Sequence, residues 1–132
     1  MIQIEVRQLP PAEYSPNARC HWAKKLKAGR LFHDEVFWEA IAVRNLERHV
    51  NYEKFPWNKA ELLLTIVVAQ QRRRDMDNWL ARCIPGINAL RMAGLIVDDD
   101  VEHLAIAKPV FVVDKKKAPR TIFELSQIGG ER

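Results

Sequence analysis

Three absences restrict what this 132-residue chain can be. Its two cysteines, Cys20 and Cys83, lie far apart without zinc-site spacing, so we expect reduced thiols, although the sequence also allows one disulfide. Its apolar runs, such as 62–69, are far too short to span a bilayer, and no charged-then-apolar leader opens the chain. It has no glycine-rich phosphate loop and no Ser/His/Asp arrangement. These absences predict a soluble cytoplasmic protein without membrane attachment.

The composition is that of one globular domain with an excess of positive charge. With 48% apolar residues, a chain of 132 residues can bury one core but not two. The formal net charge is +4. A positive balance favours an anionic partner such as nucleic acid. Many ordinary soluble domains carry a similar charge, so the charge alone does not identify the partner.

The hydropathy pattern predicts strands and a helix over the first half of the chain. Apolar and polar residues alternate over 2–6, as in a half-buried strand, and 13–22 has the character of a loop. A helical stretch follows this loop and is clearest over 34–49, where apolar residues lie one turn apart. The stretch 62–70 (LLLTIVVAQ) is rich in β-branched residues and predicts a buried central strand.

The second half predicts one helix and a hairpin. Residues 79–93 have helical spacing and stop at a glycine, while Pro85 predicts a kink or a late helix start. Residues 101–113 and 121–125 predict a hairpin around DKKKAPR, and Pro109 indicates an edge position or a bulge. The order β-α-β-α-β-β describes a small α/β sandwich, a single domain with a mixed sheet of about four strands and two main helices.

Two clusters of carboxylates lie within residues 72–100. Asp75 and Asp77 follow three arginines where a predicted strand gives way to a helix, and residues 98–100 are three consecutive aspartates. Side chains at i and i+2 of an extended backbone share one face, close enough to bind one cation. Such oxygen ligands suit Mg²⁺ or Mn²⁺, which can activate water and stabilise charge on a phosphoryl group.

A purely structural role can explain the same residues. Asp77 can be a helix N-cap, and Asp75 can pair with Arg74. Residues 98–100 follow Gly94, which ends the helix, and can form a solvated turn. For each cluster taken alone, the structural role is the more common one. The two clusters together favour a metal, because the glycine returns the chain toward the start of the helix.

Three segments resemble the RusA family of Holliday-junction resolvases. They are RRRDMDN (72–78), ALRMAGLIVDDDVEHL (89–104) and SPNARCHW (15–22). Members of this family carry an arginine-rich lead into D-x-D-N, a helix that ends in Ala-Gly, and then an Asp-Asp pair. The third segment is similar to the loop that the family places after its first strand. The resemblance spans most of the chain, and the motifs together are far more specific than any one of them.

The resemblance implies a homodimeric, magnesium-dependent endonuclease of DNA recombination and repair, in which Mn²⁺ could substitute. Such an enzyme binds four-way DNA junctions and nicks opposed strands symmetrically. The resemblance also implies that Asp75, Asp77 and Asp99 are the catalytic, metal-binding carboxylates. Asp99 is chosen because it is the second residue of the acidic pair, five beyond Gly94.

Two positions depart from the family pattern. In the best-known members a lysine that assists catalysis lies on the helix shortly after D-x-D-N; here that position holds Ala81 or Ile84, depending on the landmark used for counting. Arg82 is the nearest cation and the predicted catalytic substitute, although a guanidinium stays protonated and cannot act as a base. Asn88 replaces a helical aspartate seen in many members. These changes bear on rate and metal affinity more than on fold.

Further basic and polar residues are candidates for contacts with DNA. Each group also has a structural interpretation, as a solvated strand end, a soluble turn or a loop that packs Trp22. His103, on an alternating strand, is expected to be structural. The predicted DNA-binding residues are Arg72, Arg73, Arg74, Asn17, Arg19, His21, Lys115, Lys116 and Lys117.

The sequence therefore predicts a metal-dependent DNA junction endonuclease. A second hypothesis is a catalytically weak or inactive junction-binding protein that keeps the acidic pocket without the family lysine. A third is a structural domain whose aspartates are caps. Cleavage of a four-way junction with and without Mg²⁺ distinguishes the three.

Overall fold

A computed structural model describes residues 1–129 of the chain. Its strands are β1 (Ile2–Val6), β2 (Ala60–Val68), β3 (Leu104–Ile106), β4 (Val110–Val113) and β5 (Arg120–Gln127). Its helices are α1 (Trp22–Val50), α2 (Met76–Arg82) and α3 (Ile84–Met92), and a short 3-10 helix covers Ala12–Tyr14. These elements form one small α/β domain, the predicted fold class.

The strands form one mixed sheet around β2. On one side, β5 pairs antiparallel with β2, and β1 pairs antiparallel with β5. On the other side, β3 pairs parallel with the first residues of β2 and β4 pairs parallel with its last residues. Because both edges of β2 are hydrogen-bonded, it is the central strand that its apolar sequence predicted.

The helices pack on one face of the sheet. Alternate side chains of β1 are buried on that face, which confirms the predicted half-buried strand. α1 buries Phe32, Val36 and Ala40 at four-residue spacing. It begins at Trp22, where the predicted helical stretch follows the loop, and it includes the range 34–49 in which the apolar pattern is clearest. No helix within residues 1–129 combines the length and apolar character needed to cross a membrane.

The helix predicted over 79–93 is two helices that meet at Cys83. Pro85 lies in the first turn of α3, where its missing N–H costs no hydrogen bond. Inside a continuous helix its ring would clash with the carbonyl four residues before it. The predicted late helix start is therefore confirmed. Gly94 follows α3 with φ of +79°, a left-handed conformation that favours glycine and confirms the predicted helix stop.

The hairpin predicted from 101–113 and 121–125 is wrong. β4 and β5 flank β2 on opposite sides and do not pair with each other. The backbone groups of a buried strand need a partner at each edge, and β2 obtains them by separating the two strands. The strand predicted over 101–113 is also divided into β3 and β4, with Pro109 buried between them. The edge position that Pro109 indicated for this segment is confirmed, because within the described residues β3 and β4 pair only with β2.

The connection from β2 to β3 sets the positions of the acidic residues. The chain leaves β2 at Val68, passes through α2 and α3, and enters β3 with Leu104 beside Ala60. This parallel crossover carries the chain back to the beginning of β2 and not to its end. Residues that follow β2 and residues that follow α3 therefore lie at opposite ends of the sheet.

Candidate functional site

A cleft opens at the end of the sheet where β2 stops and β5 begins. Its volume is about 580 Å³. Four arginines, a carboxylate and an indole contribute to its wall, and we call it the arginine cleft. It is lined by Leu9, Ala12, Ser15, Val68, Ala69, Gln70, Arg72, Arg73, Arg74, Asp75, Asn78, Trp79, Arg82 and Pro119.

Arg74 folds back onto the loop that follows β2. Its Nη2 donates to the Gln70 carbonyl at 2.8 Å, and its Nη1 donates to the Arg72 carbonyl at 3.1 Å. Its Nε is buried and has no hydrogen-bond partner within residues 1–129. Burial first, and then the charge of Arg72, lowers the pKa of Arg74. A bound anion would favour the charged guanidinium and supply an acceptor, so this part of the cleft is suited to one.

An aromatic ring positions two of the guanidinium groups. The Arg82 guanidinium lies 3.7 Å from the ring centroid of Trp79, and that of Arg74 lies 5.7 Å from it. Phe111 contacts the indole edge-on, with ring centroids 5.3 Å apart. Arg82 also donates from Nε and Nη2 to the Pro10 carbonyl, at 3.1 and 2.7 Å. Arg82 therefore lines the cleft in a fixed orientation, and two of its nitrogens already donate hydrogen bonds within the protein.

Asp75 lines the cleft and caps α2. Its Oδ1 accepts hydrogen bonds from the backbone N–H groups of Asp77, at 2.9 Å, and Asn78, at 3.5 Å. The N-cap is thus Asp75 and not Asp77, and Arg74 donates to backbone carbonyls rather than pairing with Asp75. Asp77 lies in the first turn of α2 with its side chain exposed. Only Asp75 has the extended backbone that was expected for both Asp75 and Asp77, because Asp77 already belongs to the helix.

The second acidic cluster lies in the turn between α3 and β3. The Asp98 carboxylate accepts the Asp99 backbone N–H at 2.7 Å. This bond, followed by a side-chain hydrogen bond with Asp99, lowers the pKa of Asp98. Asp100 accepts the backbone N–H groups of Glu102 and His103, and its carboxylate lies 2.6 Å from Nδ1 of His103. His103 is held within the turn, the structural role expected for it, while Asp99 is exposed.

The two acidic clusters lie at opposite ends of β2. Asp75 lies in the segment that follows Val68, the last residue of β2. Asp99 precedes β3, which starts beside Ala60, the first residue of β2. The steps from Ala60 to Val68, at about 3.3 Å each, span about 26 Å. Within residues 1–129 no group of three or more His, Cys, Asp or Glu side chains could hold a metal ion. The convergence of Asp75, Asp77 and Asp99 expected in one chain is therefore not found.

The physical reason is the direction of the crossover. A glycine-stopped helix was expected to bring the second acidic cluster back to the first. The helices do return across the sheet, but they start from the end of β2 and finish at its beginning. Strands joined by such a crossover run parallel, so residues at the end of one and before the start of the next are separated by the strand length. The metal-binding roles of these aspartates stay predictions.

The predicted DNA-binding loop touches the cleft at one end. Ser15 lines the cleft, and Asn17 and Arg19 are exposed further along the loop. His21 has a structural role, because its Nδ1 accepts the backbone N–H two residues on, at 3.2 Å, and so caps α1. Its ring centroid lies 5.5 Å from that of Trp22.

The predicted lysine cluster lies on the connection between β4 and β5. Lys115, Lys116 and Lys117 are exposed there, and Asp114 caps the turn by accepting the Lys116 N–H at 3.0 Å. The same connection lines the cleft with Pro119. The lysines are therefore close in sequence to the cleft wall, although the connection is not a hairpin.

The two positions considered for the family lysine differ in exposure. Ala81 is half-buried in α2, whereas Ile84 begins α3 with 46% of its surface exposed. Asn88 is half-buried on α3. Within the described residues, neither of the first two positions contributes to the arginine cleft, which obtains its helical cation from Arg82.

Sequence reasoning missed several residues of the cleft wall, among them Asn78, Trp79 and Pro119. Asn78 is the last residue of the quoted motif, and Trp79, the next residue, was assigned only to the predicted helix over 79–93. An arginine-rich segment next to a tryptophan is a signal for cation–π stacking and could have indicated Trp79. Pro119 carried no such signal, because the pairing of β5 with β2 brings it to the cleft.

No known protein-family model matches this chain, and no curated protein matches its sequence. The cleft and the two acidic clusters are therefore the features from which a function can be inferred.

Proposed function

We propose that this chain is a magnesium-dependent endodeoxyribonuclease of the RusA type that resolves four-way DNA junctions by paired nicks. One observation carries the proposal: Asp75 lies in the wall of a cleft whose other charged groups are arginines. Guanidinium groups bind phosphate oxygens strongly. A carboxylate beside a bound phosphate can hold the divalent cation used in phosphodiester hydrolysis.

The donor set suits a hard cation. Asp75 uses only Oδ1 as the helix cap, and the exposed Asp77 follows two residues later. Mg²⁺ would be held by these two carboxylates together with Asp99 of the partner subunit, and Mn²⁺ could replace it. Bound there, the metal supplies an activated water and stabilises charge on the phosphate. The chain itself contributes Arg72 and Arg73 to bind the phosphodiester, and Arg82 to stabilise its developing charge.

A second copy of the chain would complete this site. The outer edge of β3 and β4 has no partner strand within the described residues, and it exposes apolar side chains at Ile106, Val110, Val112 and Val113. Such an edge favours pairing with another strand. If two copies pair these edges antiparallel about a two-fold axis, the start of β3 in one copy lies beside the end of β4 in the other.

That arrangement would join the separated acidic clusters. Within one chain, β4 ends beside the end of β2, close to where Asp75 follows. Asp99 of the partner subunit would come to the same end. Two-fold symmetry then gives two equivalent sites, separated by about the 26 Å length of β2. Two such sites suit an enzyme that nicks opposed strands in one binding event.

Cleavage of a labelled four-way junction tests the proposed function. We expect product with Mg²⁺ or Mn²⁺, no product with EDTA, and loss of product for Asp77→Asn, since a neutral amide is a poor ligand for a hard dication. Binding of the junction by Asp77→Asn should remain or become tighter, because one carboxylate no longer repels phosphate. Cleavage by this variant at the wild-type rate would exclude a catalytic metal at Asp77.

A catalytically weak junction-binding protein is the second candidate function. It is favoured by the absence of a basic residue at Ala81 and Ile84, and by the use of two Arg82 donors on the Pro10 carbonyl. The same assay distinguishes the candidates. A binding protein would shift the junction on a gel and leave it uncut at every Mg²⁺ concentration.

A cytoplasmic location is part of the proposal. Both Cys20 and Cys83 are free thiols, as expected in a reducing compartment.

A further inference from the structure

We propose a second phosphate-binding site next to the arginine cleft, on the face of the sheet that the helices leave uncovered. We call it the rim pocket; its volume is about 430 Å³ and its lining residues are Glu5, Arg7, Lys117, Ala118 and Arg120. The inference rests on the proposed function, in that this end of the molecule binds DNA. It assigns a DNA contact to Arg7 and Arg120, which the sequence analysis did not single out.

Strand register brings the pocket together. β1 buries alternate side chains beneath the helices, so Glu5 points to the opposite face, and Arg7 continues this alternation just beyond the strand. Val6 pairs with Thr121, which is buried, so Arg120 is turned to the same face as Glu5. Arg7 thus meets Lys117 and Arg120, which are distant from it in sequence, at one corner of the sheet.

Two buried nitrogens point to an anion at each site. Within residues 1–129, the buried side-chain nitrogen and oxygen atoms that lack a hydrogen-bond partner are Nε of Arg74 and Nε of Arg120. One belongs to the lining of the arginine cleft and the other to that of the rim pocket. A buried N–H without an acceptor is costly and uncommon in native proteins. A phosphate oxygen could accept either N–H once the guanidinium turns toward the pocket that it lines.

Glu5 compensates the charge of Arg120 only in part. Its Oε1 lies 3.5 Å from Nε of Arg120, within ion-pair distance. The geometry is not that of a hydrogen bond, so the N–H remains without an acceptor. Glu5 also lines the pocket with a negative charge, which opposes phosphate binding. Removing the charge of Glu5 should therefore strengthen DNA binding, whereas removing the charge of a cation should weaken it.

The two sites are adjacent. Ala118 lines the rim pocket and Pro119 lines the arginine cleft, and consecutive Cα atoms lie about 3.8 Å apart. A DNA strand that leaves the cleft over Pro119 therefore reaches the rim pocket at once, so both sites hold phosphates of one arm. Further along the same face, Glu61 and Glu124 oppose phosphate, so the contact ends at the pocket.

Salt-dependent binding to a four-way junction and to a linear duplex, without divalent metal, tests this. Lys117→Gln and Arg7→Gln should each lower the salt slope by about 0.9, and the double variant by about 1.8, on both DNAs. We expect the double variant to bind at least about tenfold more weakly at low salt. Glu5→Gln should bind more tightly. Arg48→Gln, exposed in the last turn of α1, is the matched control and should bind as the wild type does.

Other outcomes overturn the inference. If Arg7→Gln and Lys117→Gln bind both DNAs as Arg48→Gln does, while Arg72→Ala with Arg73→Ala binds weakly, the rim pocket is rejected and the proposed function stands. If the variants bind the junction more weakly but bind the linear duplex normally, the rim pocket holds a second arm of the junction. The inference that both sites hold phosphates of one arm is then rejected. A wild-type protein that binds neither DNA rejects the proposed function itself. Thermal melting of each variant identifies any that fails to fold.

Discussion

The Arg82 guanidinium stacks on the indole of Trp79, 3.7 Å from the ring centroid, while two of its nitrogens donate to the Pro10 carbonyl. This contact ties the end of α2 to the segment that follows β1. It also means that a cation predicted for catalysis has a structural function. Any variant of Arg82 must therefore be examined for stability as well as for rate.

The first prediction separates these two functions of Arg82. Arg82→Ala should lower the free energy of unfolding by about 2 kcal/mol, because it removes the stack and charged hydrogen bonds. It should lower the cleavage rate about 100-fold while the Mg²⁺ concentration for half-maximal rate changes little. Urea unfolding and a metal titration of the rate measure both. An unchanged rate in the folded variant would show that Arg82 is only structural.

The second prediction concerns the position of the family lysine. Ile84 is 46% exposed at the start of α3, so a lysine can replace it without burying charge. Ile84→Lys should raise the cleavage rate if the missing lysine limits it. Met92→Lys, at an exposed position at the other end of α3, adds the same charge and is the control. Equal rates for the two variants would place the catalytic cation elsewhere.

The third prediction uses the helix cap. Asn and Asp are similarly good N-caps, whereas alanine costs about 1 kcal/mol. Asp75→Asn should therefore lose cleavage with almost no change in the free energy of unfolding, and Asp75→Ala should lose both cleavage and about 1 kcal/mol of stability. Thermal unfolding beside the cleavage assay checks this. If Asp75→Asn cuts normally, the carboxylate of Asp75 is a cap and no more.

Local sequence signals predicted the local features of this fold. The alternation in β1, the late helix start at Pro85 and the stop at Gly94 each depend on residues close in sequence, and each is confirmed. Arg72, Arg73, Arg74 and Asp75, which line the cleft, are consecutive, so their proximity to one another also follows from the sequence. Backbone preferences and side-chain period act over a few residues, so a single sequence carries this information.

Choices between distant partners could not be predicted in the same way. The short turn between β4 and β5 has the composition of a hairpin loop, yet both strands pair with β2. The hydrogen-bond partners that β2 needs at its two edges depend on the whole sheet and not on this turn. Arg7, Pro119 and Arg120 reach their positions only through that register. The crossover direction separated Asp75 from Asp99 for the same reason: it depends on which strands are parallel.

The fourth prediction follows from the burial of Cys83. Burial raises the pKa of its thiol from 9.0 to about 12, with the charge of Arg82 acting in the opposite direction. The unfolded chain loses this proton near pH 9.0 and the folded chain retains it. The contribution to stability is therefore complete below that pH and decreases as the pH rises toward 12, by about 1.4 kcal/mol per pH unit at most.

Cys83→Ala isolates this effect from other groups that titrate at alkaline pH. Urea unfolding at about pH 8 and about pH 10 should show a larger decrease in unfolding free energy for the wild type than for the variant. Cys20, which is only partly buried, provides the control in Cys20→Ala, whose decrease should match that of the wild type. Equal decreases in all three proteins would mean that Cys83 is not kept protonated by the fold.

The last prediction tests whether the acidic site is shared between two copies. In a shared site, each active centre uses Asp75 and Asp77 of one copy and Asp99 of the partner subunit. Asp77→Asn and Asp99→Asn should each be inactive alone. In a mixed dimer of the two, one centre has lost both contributions and the other is intact. Random exchange makes about half of the dimers mixed, so about one quarter of all centres should be active.

This complementation distinguishes the shared site from any site within one chain. If the three carboxylates served one chain, every centre in the mixture would lack either Asp77 or Asp99, and no activity would return. The product should also differ in kind: a mixed dimer has one working centre, so it should leave junctions with a single nick. Refolding the two variants together from urea, and comparing them with the same variants mixed after folding, controls for slow exchange. Recovery in the refolded mixture alone would agree with a stable dimer, whereas no recovery in either would reject the shared site, because the edge strands β3 and β4 would then not place the two acidic clusters together.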